Sequence, residues 1–264
     1  VIHMNSIITI ENLSVRYQQT LALNNITLQV PENVRMAIIG PNGAGKSTFI
    51  KAILNLIPAK QHKLSFFNDL TLKQARSKIA YVPQTSEVNW HFPTTVKDVV
   101  TMGVSSNRWG FQSVSEEQKI VVSQALEAME LTDLSNRQIS QLSGGQKQRV
   151  FIARAIAQDA DLYFFDEPLA GVDMKSEAII MAQLKEFQDA GKTSLTVHHD
   201  LNSVPDNFDY VLFLNKEVIA TGPTVDVFTR ENIDKAYLNQ SQQNNVEPSS
   251  NQAGLHILGA DQHV

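Results

Sequence analysis

The chain has 264 residues, 42 % hydrophobic and 19 % charged, with a net charge of −5, the make-up of one large or two modest globular domains with a substantial core. The absence of cysteine excludes disulfides, thiolate metal sites and cysteine nucleophiles. No apolar run reaches bilayer-spanning length, no signal-peptide pattern opens the sequence, and no long basic run suggests a nucleic-acid surface. The expected location is therefore the cytoplasm, unless a partner holds the chain at a membrane. Val1, Ile2 and His3, ahead of Met4, carry no functional reading.

Three short alternating runs, 7–10, 13–17 and 26–30, predict a small antiparallel β layer. Tyr17 closes the second run, where its ring is either a half-buried strand residue or a platform for an adenine base. Residues 34–39 read as a short buried strand. After them come Gly40, Pro41, Asn42, Gly43, Ala44, Gly45, Lys46, Ser47 and Thr48, with the spacing of a phosphate-binding loop. The glycines allow consecutive N–H groups to turn inward onto one anion. Lys46 supplies a charge for the β- and γ-phosphates, and the Ser47 hydroxyl can ligate Mg²⁺. An apolar-faced helix over 48–57, stopped at Pro58, would place those phosphates at a helix N-terminus.

Residues 78–82 predict another buried strand, ending at Pro83 and Gln84. Ligands sit beyond such strand ends in α/β sheets, although an amide there is also an ordinary surface residue. From 94 to about 160 helical periodicity replaces the strand signal, predicting a helical insertion. Ser115 and Gln118 form a capping-box pattern ahead of Val122, Leu126 and Met129. Leu142, Ser143, Gly144, Gly145 and Gln146 precede a helix over 147–158, offering a second set of free N–H groups and a hydroxyl at a helix start; a plain helix cap explains the same residues.

The strand Leu162–Phe165 ends in Asp166 and Glu167. Adjacent carboxylates at a buried strand end are costly without a compensating cation or hydrogen bonds, unless they fan into solvent. Asp166 can hold Mg²⁺, and Glu167 can polarise an attacking water. Gly171, Val172 and Asp173 make a turn before a helix over 175–188. The strand over 193–197 ends in His198 and His199. Strand neighbours face opposite ways, so one histidine is read as functional and the other as structural. A hairpin over 210–220 follows. Beyond about 238 the Asn-, Gln- and Ser-rich composition predicts an appendix, where His256 and His263 carry no metal reading.

The ordered set of loop 40–48, Gln84, Leu-Ser-Gly-Gly-Gln at 142–146, Phe-Phe-Asp-Glu at 164–167, Gly171-Val-Asp173 and His199-Asp200 resembles the ATP-binding subunits of ABC transporters over roughly 7–236. The resemblance implies an α/β phosphate-loop NTPase core, mainly parallel, with the antiparallel layer and the helical subdomain. It divides the chain into a nucleotide-binding domain over 7–238, with its helical part about 94–160, and a tail over 239–264. It also implies a head-to-tail homodimer holding ATP and Mg²⁺ between loop 40–48 of one chain and Ser143, Gly144, Gly145 and Gln146 of the other. It assigns Tyr17 to adenine stacking, Gln84 to Mg²⁺ and the membrane subunit, Glu167 to the catalytic base, His199 to the switch position and Asp173 to the dimer seam. Residues 81–93, 165–173 and 197–201 resemble bacterial importers of manganese, zinc or iron, which work with a membrane permease and an extracytoplasmic metal-binding protein. In such a system Trp90, His91 and Phe92 would help to form the groove that receives a permease helix. A soluble ABC-type ATPase acting on ribosomes or DNA is the alternative; its usual paired cassettes or long coiled-coil insertion are missing from this sequence.

Overall fold

The computed structural model describes residues 6–88, 92–105 and 114–243. In chain order the elements are β1 (Ser6–Tyr17), β2 (Thr20–Pro31), β3 (Arg35–Ile39), α1 (Lys46–Ile53), β4 (Lys63–Phe66), α2 (Leu72–Ala75), β5 (Ile79–Val82), α3 (Val96–Ser105), α4 (Glu116–Ala128), α5 (Gly144–Gln158), β6 (Leu162–Phe165), α6 (Met174–Asp189), β7 (Thr193–Val197), α7 (Val204–Asn207), β8 (Tyr210–Asn215), β9 (Glu217–Pro223), α8 (Thr224–Val227) and α9 (Arg230–Gln243). Two sheets form, a three-stranded antiparallel one in the order β2-β1-β4 and a six-stranded one in the order β5-β6-β7-β3-β8-β9. The larger sheet is parallel except for β9. Among the described residues, no helix is long and apolar enough to cross a membrane.

The buried strands separate their side chains by the two-residue period of a pleat. In β6, Leu162 and Phe164 join the core under the antiparallel sheet, together with Ile10, Leu23, Phe49 and Phe66. Tyr163 and Phe165 enter the opposite core, shared with α6 and the helical insertion. There Tyr163 stacks on Phe187 of α6 with ring centroids 4.1 Å apart. A third core lies between β3, β8 and the C-terminal helix, where Ile39, Phe213 and Ala236 are buried.

Several elements differ from the sequence expectation. The runs 7–10 and 13–17 are one strand, β1, which shifts register between Ile10 and Leu13 where Asn12 takes φ 57°; the bulge keeps Ile8, Ile10, Leu13 and Val15 buried. Helix α1 ends at Ile53 rather than Ile57. Asn55 there adopts φ 53° and the Leu56 N–H returns to the Lys51 carbonyl at 2.8 Å, a left-handed helix stop four residues short of the proline's influence. Strand β4 was not expected; it is four residues long and completes the small sheet by pairing Phe66 with Ile8.

Helix α9 runs to Gln243, past residue 238, where the polar tail was expected to begin. Its Ile233, Ala236 and Tyr237 contribute to the third core, and the exposed Glu231–Lys235 pair at 2.6 Å follows the i, i+4 spacing of a helix surface. Trp90, His91, His256 and His263 lie outside the described residues; Phe92 is exposed.

Helices α3 and α5 of the insertion approach closely at Gly103. A Cβ built there would lie 2.3 Å from the Arg154 carbonyl oxygen and 3.0 Å from the Ala157 Cβ. Gly103→Ala is therefore expected to push α3 off α5 and destabilise the chain by about 1–3 kcal/mol in denaturant titration. A midpoint within error of the wild type would show that the two helices separate without cost.

Candidate nucleotide site

Parallel strands end at one edge of a sheet, so β3, β5, β6 and β7 deliver Gly40, Gln84, Asp166 with Glu167, and His198 with His199 to the same place. The loop after β3 is shaped by what presses on it. A Cβ at Gly40 would fall 1.9 Å from the Leu214 carbonyl oxygen, and one at Gly45 would fall 2.6 Å from Leu23 Cδ2. Gly43 and Gly45 also have φ of 76° and 92°, in the left-handed region that favours glycine. Residues Asn42, Gly43, Ala44, Gly45, Lys46, Ser47 and Thr48 line a cavity of roughly 200 Å³ together with Glu167 and His199. Helix α1 begins at Lys46, so its first N–H groups open toward that space.

Lys46 is 6 % exposed and donates from Nζ to the carbonyl oxygens of Gly40 at 2.7 Å and Pro41 at 2.9 Å. Burial holds its pKa below the usual lysine value, while the charges of Glu167 and Asp166 act in the opposite direction. Ser47 Oγ donates to Asp166 Oδ1 at 2.7 Å, and Asp166 is fully buried. A hydroxyl and a buried carboxylate in contact beside a phosphate-shaped loop are the oxygen donors that Mg²⁺ takes, so these residues fit that ion.

Glu167 adopts φ 53°, a conformation uncommon for a non-glycine residue and frequent where function holds strain. Its carboxylate is gripped from two sides. Gln84 Nε2 donates to Oε2 at 2.8 Å, and His199 Nε2 lies 2.6 Å from Oε1. Two residues 115 positions apart in the chain thus act on one carboxylate.

The two adjacent histidines have separate surroundings. His198 is 4 % exposed, pairs through Nε2 with Ser203 Oγ at 2.7 Å and lies over the Phe208 ring at 5.1 Å. Burial holds its pKa below 6.5.

Other candidate residues gather elsewhere. Ser143 caps α5, with Gln146 N–H donating to its Oγ at 3.3 Å and its own N–H donating to Gln146 Oε1 at 3.0 Å; the capping box expected only at Ser115 and Gln118 is thus found at both helix starts. Asp173 caps α6, accepting from the Ser176 N–H and hydroxyl, both at 2.9 Å. Those bonds hold its carboxyl below the usual carboxylate range. The two helix starts touch, because a Cβ at Gly145 would lie 2.6 Å from Asp173 Oδ2. None of residues 143–146 lines the cavity of loop 40–48. Tyr17 is half exposed at the end of β1 and does not line it either. The sequence reading missed the loop's supports: Leu23 and Leu214, which press on it, and Lys216, whose N–H donates to the Ala44 carbonyl at 2.8 Å. The turn at Asn215 and Lys216 was visible, but its contact with the loop had no local signal.

Comparison with known proteins decides what this geometry belongs to. Residues 23–170, more than half of the chain, match the ABC transporter family. The chain belongs to that family. Among its relatives it is 48 % identical over 231 residues to the manganese transport system ATP-binding protein MntB of Bacillus subtilis (strain 168), covering 87 % of this chain and 92 % of the relative. It is 46 % identical over 230 residues to the zinc transport system ATP-binding protein TroB of Treponema pallidum (strain Nichols), covering 87 % and 86 %. A dimeric post-hydrolysis structure of an ATP-binding cassette bound to ADP and Pi is 29 % identical, with a TM-score of 0.70 over 82 % of this chain and 98 % of that one. Membership accounts for the ATPase core and for the order of its motifs.

Because the His198 pKa is depressed in the fold, the unfolded chain binds more protons than the native one once the pH falls below about 6.5, so this residue removes stability on the acid side. His198→Gln is expected to flatten the fall in Tm between pH 7.5 and 5.5. Parallel pH profiles for variant and wild type would show that His198 titrates alike in both states.

Proposed function

We propose that the chain is the ATP-hydrolysing subunit of a bacterial ABC importer for a divalent transition metal, manganese first and zinc second. The observation that carries the reading is the Glu167 carboxylate, bonded by Gln84 and His199 and lining the same cavity as Lys46 and loop residues 42–48. Names given to relatives at 46–48 % identity support the choice of metals. In this reading the metal carried is cargo selected by other subunits.

In this reading the N–H groups of 42–48 and the start of α1 bind the ATP phosphates. Lys46 exchanges a carbonyl of Gly40 or Pro41 for the β- and γ-phosphate oxygens. Ser47, Asp166 and Gln84 would hold Mg²⁺, which neutralises charge developing on the phosphates. Glu167 accepts a proton from the attacking water, and His199 orients Glu167 and the γ-phosphate edge. Tyr17 stacks on adenine. Ser143, Gly144, Gly145 and Gln146 close on the γ-phosphate held by a second copy, with Asp173 at the seam. Such a homodimer would drive membrane permease subunits from the cytoplasmic face, fed by an extracytoplasmic metal-binding protein, with no nucleic acid involved. Residues 7–238 form the nucleotide-binding domain, its helical part about 94–160, and 239–264 lie beyond it.

Co-expression with the candidate permease, purification of the pair into lipid and assay of ATP hydrolysis with the binding protein charged with manganese, zinc or iron tests the assignment. Stimulation by manganese supports it, whereas hydrolysis independent of any membrane protein removes the importer reading. Glu167→Gln is expected to keep ATP binding, lower turnover about 10²–10⁴-fold and accumulate an ATP-bound dimer on light scattering; a monomer under ATP would remove Glu167 from the role of base. Lys46→Ala is expected to weaken ATP binding at least about tenfold, ~1.4 kcal/mol, by calorimetry. Undiminished binding would mean that the phosphates lie elsewhere.

A further inference from the structure

Helices α5 and α6 touch at their starts, and the end of a third helix is bonded to both. On α5, Gly145 and Arg149 are four residues apart and share a face. Gly145 abuts the α6 start, where a Cβ on it would lie 2.6 Å from Asp173 Oδ2 and 2.7 Å from Ser176 Oγ. Arg149, one turn further along, is 7 % exposed and reaches the end of α4. Its Nη1 donates to the Met129 carbonyl at 2.7 Å and to the Glu130 carbonyl at 3.3 Å.

The turn that stops α4 uses other carbonyls. Glu130 takes φ 51°, its N–H donates to the Glu127 carbonyl at 2.9 Å, and the Leu131 N–H returns to the Leu126 carbonyl at 2.8 Å. The Met129 and Glu130 carbonyls follow that closure, at the negative end of the helix dipole, where a guanidinium is a well-matched donor. Glu130 then sends its carboxylate on to Lys175 of α6 at 2.5 Å, two residues past Asp173. The contacts close a ring: Gly145 meets Asp173, Lys175 meets Glu130, and Arg149 joins the end of α4 back to α5.

We propose that Arg149 is a positioning residue for the ATP-driven pairing of two chains, fixing the starts of α5 and α6 in one arrangement. The inference rests on the proposed reading, in which residues 143–146 close on a γ-phosphate held by a second copy with Asp173 at the seam. Both helix starts then meet the partner in one step, and a surface arranged beforehand loses less freedom in doing so. Arg149 does not line the cavity of loop 40–48, so its loss leaves the chain's own nucleotide contacts in place. Without its donors two carbonyls lose their partner, the end of α4 loosens, and Lys175 no longer holds α6 to a fixed point.

The test uses the full chain in the Glu167→Gln background and separates two quantities, ATP affinity of the dilute monomer by fluorescent-nucleotide titration and the ATP-dependent dimerisation constant by sedimentation. Arg149→Met keeps an unbranched stem and removes the donors. It is expected to weaken dimerisation about tenfold while monomer affinity stays within about twofold. Lys175→Glu turns the exposed pair into a repulsion and is expected to weaken dimerisation about threefold, with recovery when Glu130→Lys is added. Dimerisation unchanged in Arg149→Met would overturn the inference, as would monomer affinity lowered as much as dimerisation, or no recovery in the double variant. Should Arg149→Met fail to fold, the charge-swap series decides alone. A Glu167→Gln chain that binds ATP and stays monomeric would instead defeat the underlying reading, and this inference with it.

Discussion

Neighbouring parallel strands must finish at the same edge of their sheet, and the site depends on that constraint before it depends on any side chain. The chain leaves β3, β5, β6 and β7 at one edge, so each strand end presents a different chemical group to a common space. The register is enforced from below by β6, whose four residues are all buried and divide two by two between opposing cores. A one-residue slip would exchange Phe164 and Phe165 between those cores and turn the following carboxylates to the wrong sides. Hydrophobic burial far from the cavity therefore fixes where Asp166 and Glu167 lie.

Charge in that space is balanced locally rather than by solvent. A buried ammonium and a buried carboxylate each carry a desolvation cost that only near partners offset. Lys46 uses backbone carbonyls at 2.7 and 2.9 Å, and Asp166 uses the Ser47 hydroxyl at 2.7 Å. Glu167, less buried and in a left-handed backbone conformation, takes its bonds from Gln84 and His199 instead. Those partners arrive from β5 and β7, on either side of the β6 strand that carries it. A shift of either outer strand is thus felt at the carboxylate, which makes Glu167 sensitive to movements that begin outside the nucleotide cavity.

The sequence was most legible where one local pattern serves one local purpose. The loop at 40–48, the buried run before Asp166 and the capping box at Ser115 all have short-range physical signatures. The double row of motifs also carried the family resemblance that residues 23–170 bear out. Less was legible where the decisive contact is distant. Nothing near Asn12 announces that two alternating runs form one bulged strand, because the bulge is settled by pairing with β2 and β4. The α1 stop was set by Asn55 in the left-handed region rather than by the more conspicuous Pro58. Separate environments for His198 and His199 were anticipated, but both residues lie past the end of β7 at Val197, and the 2.6 Å approach of His199 to Glu167 follows from the order of β6 and β7 in the sheet.

The most informative separation is between the two helix starts that can receive an anion. The start of α1 opens into the cavity of the phosphate loop, whereas Ser143 and Gly144 at the start of α5 are exposed and contribute nothing to its lining. Asp173 is already bonded to the α6 start and lies against Gly145, so the α5 start is backed by a carboxylate and faces outward. Among the described residues, that helix end takes no part in lining the loop 40–48 cavity of its own chain. Under the proposed reading it meets the γ-phosphate held by a second copy, and the energetics then follow. Two copies approach with ligand charge that their separate surfaces leave partly solvated, and the closed pair surrounds that charge with N–H groups from both. ATP favours closure only by the difference between those two environments. In that reading hydrolysis shortens the anion and removes the group that the outer helix start would contact, so the geometry that would draw the pair together would lose its advantage once Glu167 had acted.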